Sequence, residues 1–225
     1  INGEHSISLV IRRVKKIKNL NEIILATTKN KEDNIFKKIA KKEKIKFYRG
    51  SLENVASRYY NCAKKYNLDH FVRITGDAIL CDDEMLNKAI ISHLNKQADV
   101  TFIKNMPYGT AKEVVSTNTI KTITETAKHP EKTEYLEFFM ENHKNFKVNY
   151  IRSKYIFNDN IRLTLDFKED LILFDKIFRY FKDKHCNFTL KDTLRLLKNK
   201  PYLVKLNSFL KPKFLPEEIN TELCI

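Results

Sequence analysis

The chain has 225 residues, 42% of them hydrophobic, with 42 Lys and Arg against 28 Asp and Glu, for a net charge of +14. This length suits one α/β domain, and the apolar fraction supports a sizeable core, which excludes a wholly disordered chain. No uninterrupted apolar run approaches the roughly 18 residues of a membrane-spanning helix, so no membrane span is expected.

Elements of helical and strand character alternate along the chain. The spacing of Ile7, Val10, Ile11, Val14 and Ile17 predicts a helix over 5–18. Residues 22–27 (EIILAT) form an apolar run too short for a typical helix and read as a buried strand. Residues 31–42 return to helical spacing through Ile35, Phe36 and Ile39, and 46–48 read as a strand stopped at Gly50. A helix is predicted over 53–66, a strand over 70–75 (HFVRIT), a helix over 83–95 and a strand over 99–103. Pro107-Tyr108-Gly109 marks a turn. Beyond it we expect strands at 112–116, 147–151 and 161–165, and helices at 118–127, 133–141, 169–181 and 189–198. The tail over 201–225 is punctuated by prolines and is expected to wrap onto a neighbour. Such alternation predicts mostly parallel strands joined by helical crossovers, with helices on both faces of the sheet.

The basic excess sits mainly on predicted helix faces, as in Lys37-Lys38, Lys41-Lys42 and Lys64-Lys65, without interleaved aromatic residues. It reads as solvated surface, compatible with a polyanionic nucleotide, and not as a nucleic-acid platform. Cys62, Cys81, Cys186 and Cys224 form no C-x-x-C pair, so neither zinc nor a redox motif is indicated, and a reducing cytoplasm is expected. Cys62 reads as a small packing residue and His93 as structural.

In parallel α/β sheets ligands bind beyond the carboxyl ends of the strands. That rule places Thr27-Thr28, Arg49-Gly50 and Thr75-Gly76-Asp77 on the functional edge. At Ile74-Thr75-Gly76-Asp77 an apolar strand delivers a carboxylate through a turn, which suits a magnesium ion held by one or two carboxylates plus phosphates and water. The same placement suits an aspartate that caps the next segment. Asp166 ends a second predicted strand, and Asp166-x-x-Glu169 reads as a capping box, a role compatible with metal ligation. Asp170 is expected to face solvent. The glycines at predicted element ends fit ligand approach and ordinary turns equally.

Five segments appear in order: Ala26-Thr27-Thr28, Phe47-Tyr48-Arg49-Gly50-Ser51, Val55-Ala56-Ser57-Arg58-Tyr59-Tyr60, Val72-Arg73-Ile74-Thr75-Gly76-Asp77, and Leu165-Asp166-Phe167-Lys168-Glu169-Asp170-Leu171. Together they resemble the cytidylyltransferase family of the spore-coat polysaccharide type and, more distantly, enzymes that activate sialic or keto-deoxyoctulosonic acids. The resemblance implies a Rossmann-like three-layer sandwich of the nucleotide-diphospho-sugar transferase type, with a mixed, mostly parallel sheet. It implies transfer of the cytidylyl group of CTP to a sugar or sugar acid, with Mg2+ at Asp77 and Asp166. Arg73 joins Asp77 as a candidate catalytic residue. Thr27, Gly50, Arg58, Thr75, Gly76, Glu113 and Glu134 are candidate substrate contacts, although Arg58 and both glutamates also read as ordinary surface or capping residues. A homodimer is implied as well.

The chain departs from the family pattern in two ways. It opens at Ile1-Asn2-Gly3-Glu4, which resembles the segment just downstream of the first strand and the triphosphate loop, rich in Gly, Arg and Lys, with which relatives usually begin. The expectation is one domain over 1–225, incomplete at its N-terminus and of doubtful activity as it stands. After Asp77 the run Ala78-Ile79-Leu80-Cys81-Asp82 lacks the usual proline. The alternatives are a related sugar-phosphate nucleotidyltransferase and a non-catalytic binding module.

Overall fold

The computed structural model describes residues 1–141, 144–182, 187–211 and 221–223. Among these residues six strands follow one another in the expected order, with helices between all of them except the fourth and fifth. The strands are β1 (Ile24–Thr28), β2 (Lys46–Gly50), β3 (His70–Arg73), β4 (Val100–Lys104), β5 (Glu113–Ser116) and β6 (Val148–Arg152). The helices are α1 (Ser6–Val14), α2 (Asn34–Lys42), α3 (Val55–Lys65), α4 (Asp83–Lys96), α5 (Thr117–Thr126), α6 (Leu136–Glu141), α7 (Lys168–Tyr180) and α8 (Leu190–Asn199). Their caps follow local chemistry: Asn54, Asp82, Ser116 and Thr189 each accept a backbone N–H in the first turn of α3, α4, α5 and α8.

The strands form two sheets. β1 and β2 pair in parallel, and the other four run in the order β3-β5-β4-β6. Within the larger sheet β4 and β6 are parallel, while β5 is antiparallel to both β3 and β4. The connection from β4 to β5 holds the Pro107–Gly109 turn and no helix, so the chain doubles back instead of crossing over.

Period-two alternation sorts side chains into three layers. Ile103 and Val114 face a core built with α1, α4, α7 and α8. Phe102 and Val115 face the opposite core, with α3, α5 and α6. Cys62 packs as a buried small residue in α3, and His93 is fully buried against the sheet. Cys186 and Cys224 lie outside the described residues.

Three expectations change. Residues 161–165 form no strand; Arg162 makes a single bridge to Tyr108 before the neighbouring segment turns away at Gly109. The helix expected over 133–141 begins as a 3-10 segment, Pro130–Tyr135, with Thr133 Oγ1 donating to the Pro130 carbonyl at 2.6 Å. The start of the tail packs on its own body: Pro201–Leu206 forms a 3-10 turn against α7 and α8, with Leu203 buried.

A cleft of about 830 Å³ lies between β1 and β3. Its walls come from α1, α3 and the two strands, and they are largely apolar, with Ile7, Val10, Tyr59 and Val72 among them. All of β1 therefore remains half-buried.

Candidate active site

β3 ends at Arg73, and the chain then turns through Thr75-Gly76-Asp77. Asp77 is half-buried, and its Oδ2 accepts a hydrogen bond from Thr164 Oγ1 at 2.6 Å. Burial alone would raise the Asp77 pKa. The Lys112 ammonium, together with hydrogen bonds from Thr164 and Thr75, overrides it and holds the carboxyl below the ordinary carboxylate range. Asp77 is thus ionised at neutral pH. Lys112 immediately precedes β5, is buried, and donates from Nζ to Thr75 Oγ1 at 3.0 Å. The antiparallel pairing of β3 with β5 delivers this cation to the Asp77 turn.

The second carboxylate comes from the segment that holds the first. Thr164 and Asp166 are two residues apart on one chain, with Arg162 two residues before them. Asp166 is exposed, and its Oδ2 accepts from Arg162 Nη2 at 2.5 Å. The expected cap at Asp166 is displaced by one residue. α7 begins after Phe167, and Asp170, not Glu169, reaches back to accept the Phe167 N–H at 3.0 Å. Asp170 does not face solvent: it is fully buried, where Arg162 and the backbone N–H groups of 166 and 167 compensate its charge. Burial raises its pKa, but these partners and Asn207 outweigh that and leave it lowered.

The close packing at this corner depends on Gly109. Its φ is +90°, and a Cβ there would lie 2.6 Å from Thr164 Cβ and 2.7 Å from the Leu163 carbonyl group. Gly76 differs: a Cβ would meet only Ile7 Cδ1, at an ordinary 3.6 Å. Nothing in the fold itself excludes a side chain at Gly76.

Arg73 is engaged elsewhere. Its guanidinium is buried and donates to Glu113 and Glu137, and more weakly to the Glu134 carbonyl at 3.5 Å. Burial disfavours its charge, but the two glutamates overcome this and push the pKa up. Arg73 therefore joins β3, β5 and α6, and Glu113 is its internal counter-ion. Glu134 has an exposed side chain. Thr27 donates to Asp33 Oδ2 at 2.7 Å, and Thr28 gives the same oxygen two bonds. Gly50 makes room for Arg58, whose Nη1 donates to the Ser51 carbonyl at 2.7 Å.

Two groupings result. Thr27, Arg58, Arg73, Thr75, Gly76 and Glu134 line the cleft between β1 and β3. Asp77 and Asp166 lie beside it, linked through the 162–166 segment. Asp170, from the fifth motif segment, completes that second group with Lys112, Thr164 and Arg162, which lie in none of the five segments. Period-two spacing in Arg162, Thr164 and Asp166 is the one trace they leave in the sequence.

Two carboxylates on one edge are the hard oxygen donors that suit Mg2+, whose remaining ligands are commonly phosphate and water. Among the described residues no group of three or more His, Cys, Asp or Glu could hold a metal unaided. An ion here would take the rest of its ligands from a substrate and solvent, which is compatible with Asp77 and Asp166.

Comparison with known proteins adds the lineage. The family model described as cytidylyltransferase matches residues 1–205. An uncharacterized protein of Methanocaldococcus jannaschii is 31% identical over 209 residues, covering 92% of this chain and 85% of its own length. The spore coat polysaccharide biosynthesis protein SpsF of Bacillus subtilis is 28% identical over 177 residues, covering 76% and 74%. Among solved structures, a cytidylyltransferase from Leptospira borgpetersenii superposes with a TM-score of 0.84 at 24% identity, covering 93% of this chain and 89% of that one. A CMP:2-keto-3-deoxy-manno-octonic acid synthetase complexed with CTP gives 0.59 at 11% identity, covering 82% and 90%. These last two likenesses establish the shared fold, a Rossmann-like sandwich of the nucleotide-sugar transferase type.

Proposed function

The chain belongs to the cytidylyltransferase family, a family of nucleotidyltransferases, and we propose that it joins a sugar or sugar acid to the cytidylyl group of CTP with release of pyrophosphate. The observation that carries this reading is the Asp77 carboxylate in the turn after β3, tied through Thr164 to the segment that presents Asp166. The name of the Bacillus subtilis relative favours a place in polysaccharide precursor synthesis. A cytoplasmic setting accords with a nucleotide substrate. Among the described residues no helix is long and apolar enough to cross a membrane.

In the proposed reaction a sugar hydroxyl attacks the α-phosphate in line with the departing pyrophosphate. Mg2+, when bound, would neutralise phosphate charge and fix the geometry of the transfer. Asp77 and Asp166 would hold that ion. Lys112, beside Asp77, supplies a positive charge for phosphate oxygens. Thr164 fixes the Asp77 rotamer, and Gly76 lets phosphate approach the backbone. Arg73 enters as a positioning residue that fixes the end of β3, because its donors are occupied by Glu113 and Glu137. Thr27, Arg58 and Glu134 border the cleft, where base and sugar would enter. Positioning and electrostatics would supply most of the acceleration, as in other phosphoryl transfers.

The test is pyrophosphate release from CTP across a panel of sugars and sugar acids. Turnover with at least one acceptor is expected. Asp77→Asn should reduce it at least about 100-fold, more than loss of an outer-sphere partner would. Unchanged turnover in that variant at saturating magnesium would remove Asp77 from the site.

A further inference from the structure

The start of the tail reaches the candidate active site through a chain of buried bonds. Asn207, which follows the Pro201–Leu206 turn, is fully buried. Its Nδ2 donates to the Arg162 carbonyl at 3.1 Å and to Asp170 Oδ1 at 2.8 Å. Two acceptors face that end of the amide, which fixes its orientation. Asp170 then receives Arg162 Nε on Oδ1 at 3.0 Å and Arg162 Nη2 on Oδ2 at 3.2 Å. The Arg162 guanidinium lies 5.1 Å from the Tyr108 ring centre and 5.4 Å from that of Phe167. Its last contact in the chain is Nη2 to Asp166 Oδ2, where the network reaches solvent. The Arg162 side chain is 5% exposed and that of Asp166 40%.

We propose that Asn207 is a positioning residue for Asp166, acting through Asp170 and Arg162 to fix the direction in which the Asp166 carboxylate faces a nucleotide-bound divalent cation. This rests on the nucleotidyltransfer reading above. The simpler account is that Asn207 only anchors the tail and that Asp170 only caps α7. Capping explains the two backbone N–H bonds to Asp170. It does not account for a guanidinium held through Nε and Nη2 and aimed at an exposed carboxylate four residues away. Without the Asn207 donor, Asp170 Oδ1 keeps only Arg162 Nε and the buried Arg162 carbonyl loses its amide, so the Asp170 carboxylate is less firmly fixed and the Arg162 fork shifts with it. Polar groups that orient metal ligands are ordinarily held in this way.

The experiment measures Mn2+ binding to the full chain in the presence of CTP, from the enhancement of water-proton relaxation over the same Mn2+–CTP solution without protein, alongside thermal unfolding. Asn207→Ala is compared with Leu203→Ala, which loosens the same turn without touching the polar chain. Asn207→Ala should weaken Mn2+ binding about tenfold, whereas Leu203→Ala should lower the melting temperature and leave binding within about twofold of wild type. Should Asn207→Ala fail to fold, Arg162→Lys carries the same expectation, because an ammonium cannot hold both Asp170 oxygens and Asp166 together. Wild-type Mn2+ binding in Asn207→Ala, or equal weakening in both variants, would overturn the proposal. Absence of Mn2+ binding by the wild-type chain with CTP would overturn the parent reading and this inference with it.

Discussion

Gly109 and Gly76 are both turn glycines near the candidate site, and alanine at each should give opposite results. At Gly109 two costs combine. A residue with a Cβ at φ +90° sits in a sparsely populated backbone region, at about 1–3 kcal/mol. The added methyl would also lie 2.6 Å from Thr164 Cβ and 2.7 Å from the Leu163 carbonyl group, well inside the ~3.5–4.0 Å of ordinary carbon contact. Relief requires movement of backbone, not of a flexible side-chain end, and overpacking of this kind costs about 1–3 kcal/mol more. We expect a loss of about 3 kcal/mol or more for Gly109→Ala, a fall of roughly 6–12 °C in melting temperature for a chain of this size.

The movement falls on Thr164, whose hydroxyl binds Asp77. CTP-dependent turnover of the fraction that remains folded should therefore drop as well. Gly76→Ala meets only an ordinary contact with Ile7 and should stay within about 0.5 kcal/mol of wild type. If its turnover falls while its stability holds, the methyl is meeting a ligand. Urea unfolding followed by circular dichroism gives the stabilities, and pyrophosphate release gives the activity. A Gly109→Ala protein as stable as wild type would refute the assignment of that glycine to close packing.

Three further outcomes are expected. Arg73→Ala leaves Glu113 buried without its counter-ion and should cost about 3–5 kcal/mol in urea unfolding; a loss below about 1 kcal/mol would show that the ion group does not brace β3. His93, fully buried and 3.0 Å from both Thr101 Oγ1 and His70 Nδ1, has its pKa lowered from 6.5 to about 4, by burial first and by His70 second. Between those pH values the unfolded chain binds the extra proton, so this contribution to stability is full above pH 6.5 and is lost as pH falls toward 4; a His93→Gln protein with the same pH slope as wild type over that window would refute it. The apolar cleft of about 830 Å³ should bind 1-anilinonaphthalene-8-sulfonate in the folded chain at neutral pH, with the fluorescence enhancement reduced in Ala26→Trp; an enhancement only on unfolding would contradict it.

The alternation of elements was legible because it rests on local periodicity, and Asp77 was legible because a strand end and a turn place it. Pairing direction was not. β5 runs against both neighbours because a short turn, not a helix, precedes it, and that turn was visible at Pro107–Gly109 without its consequence for the sheet. The partners of Asp77 were harder still. Lys112 arrives by strand pairing and Thr164 from 87 positions away, so neither leaves a mark at Asp77. Asp170 shows the limit of local reading most clearly. Its spacing pointed to a solvated acid, and only the burial of Arg162 and Asn207 around it decides otherwise.

That decision bears on how the two carboxylates differ. Asp77 has its charge fixed by an ammonium and hydroxyl donors and is half-buried. Asp166 is exposed, and its side chain accepts from a guanidinium already shared with Asp170. A cation arriving with a nucleotide would find Asp77 in place and would compete with Arg162 for Asp166. If so, Arg162→Gln should remove the competitor and the positioning fork together. Its Mn2+ affinity in the presence of CTP would then fall despite the loss of a positive charge from the site. Simple charge bookkeeping predicts the opposite, tighter binding once a cation is deleted. Titration of Arg162→Gln by calorimetry separates the two: tighter binding would mean that Arg162 merely neutralises Asp166, and weaker binding that it holds it in place.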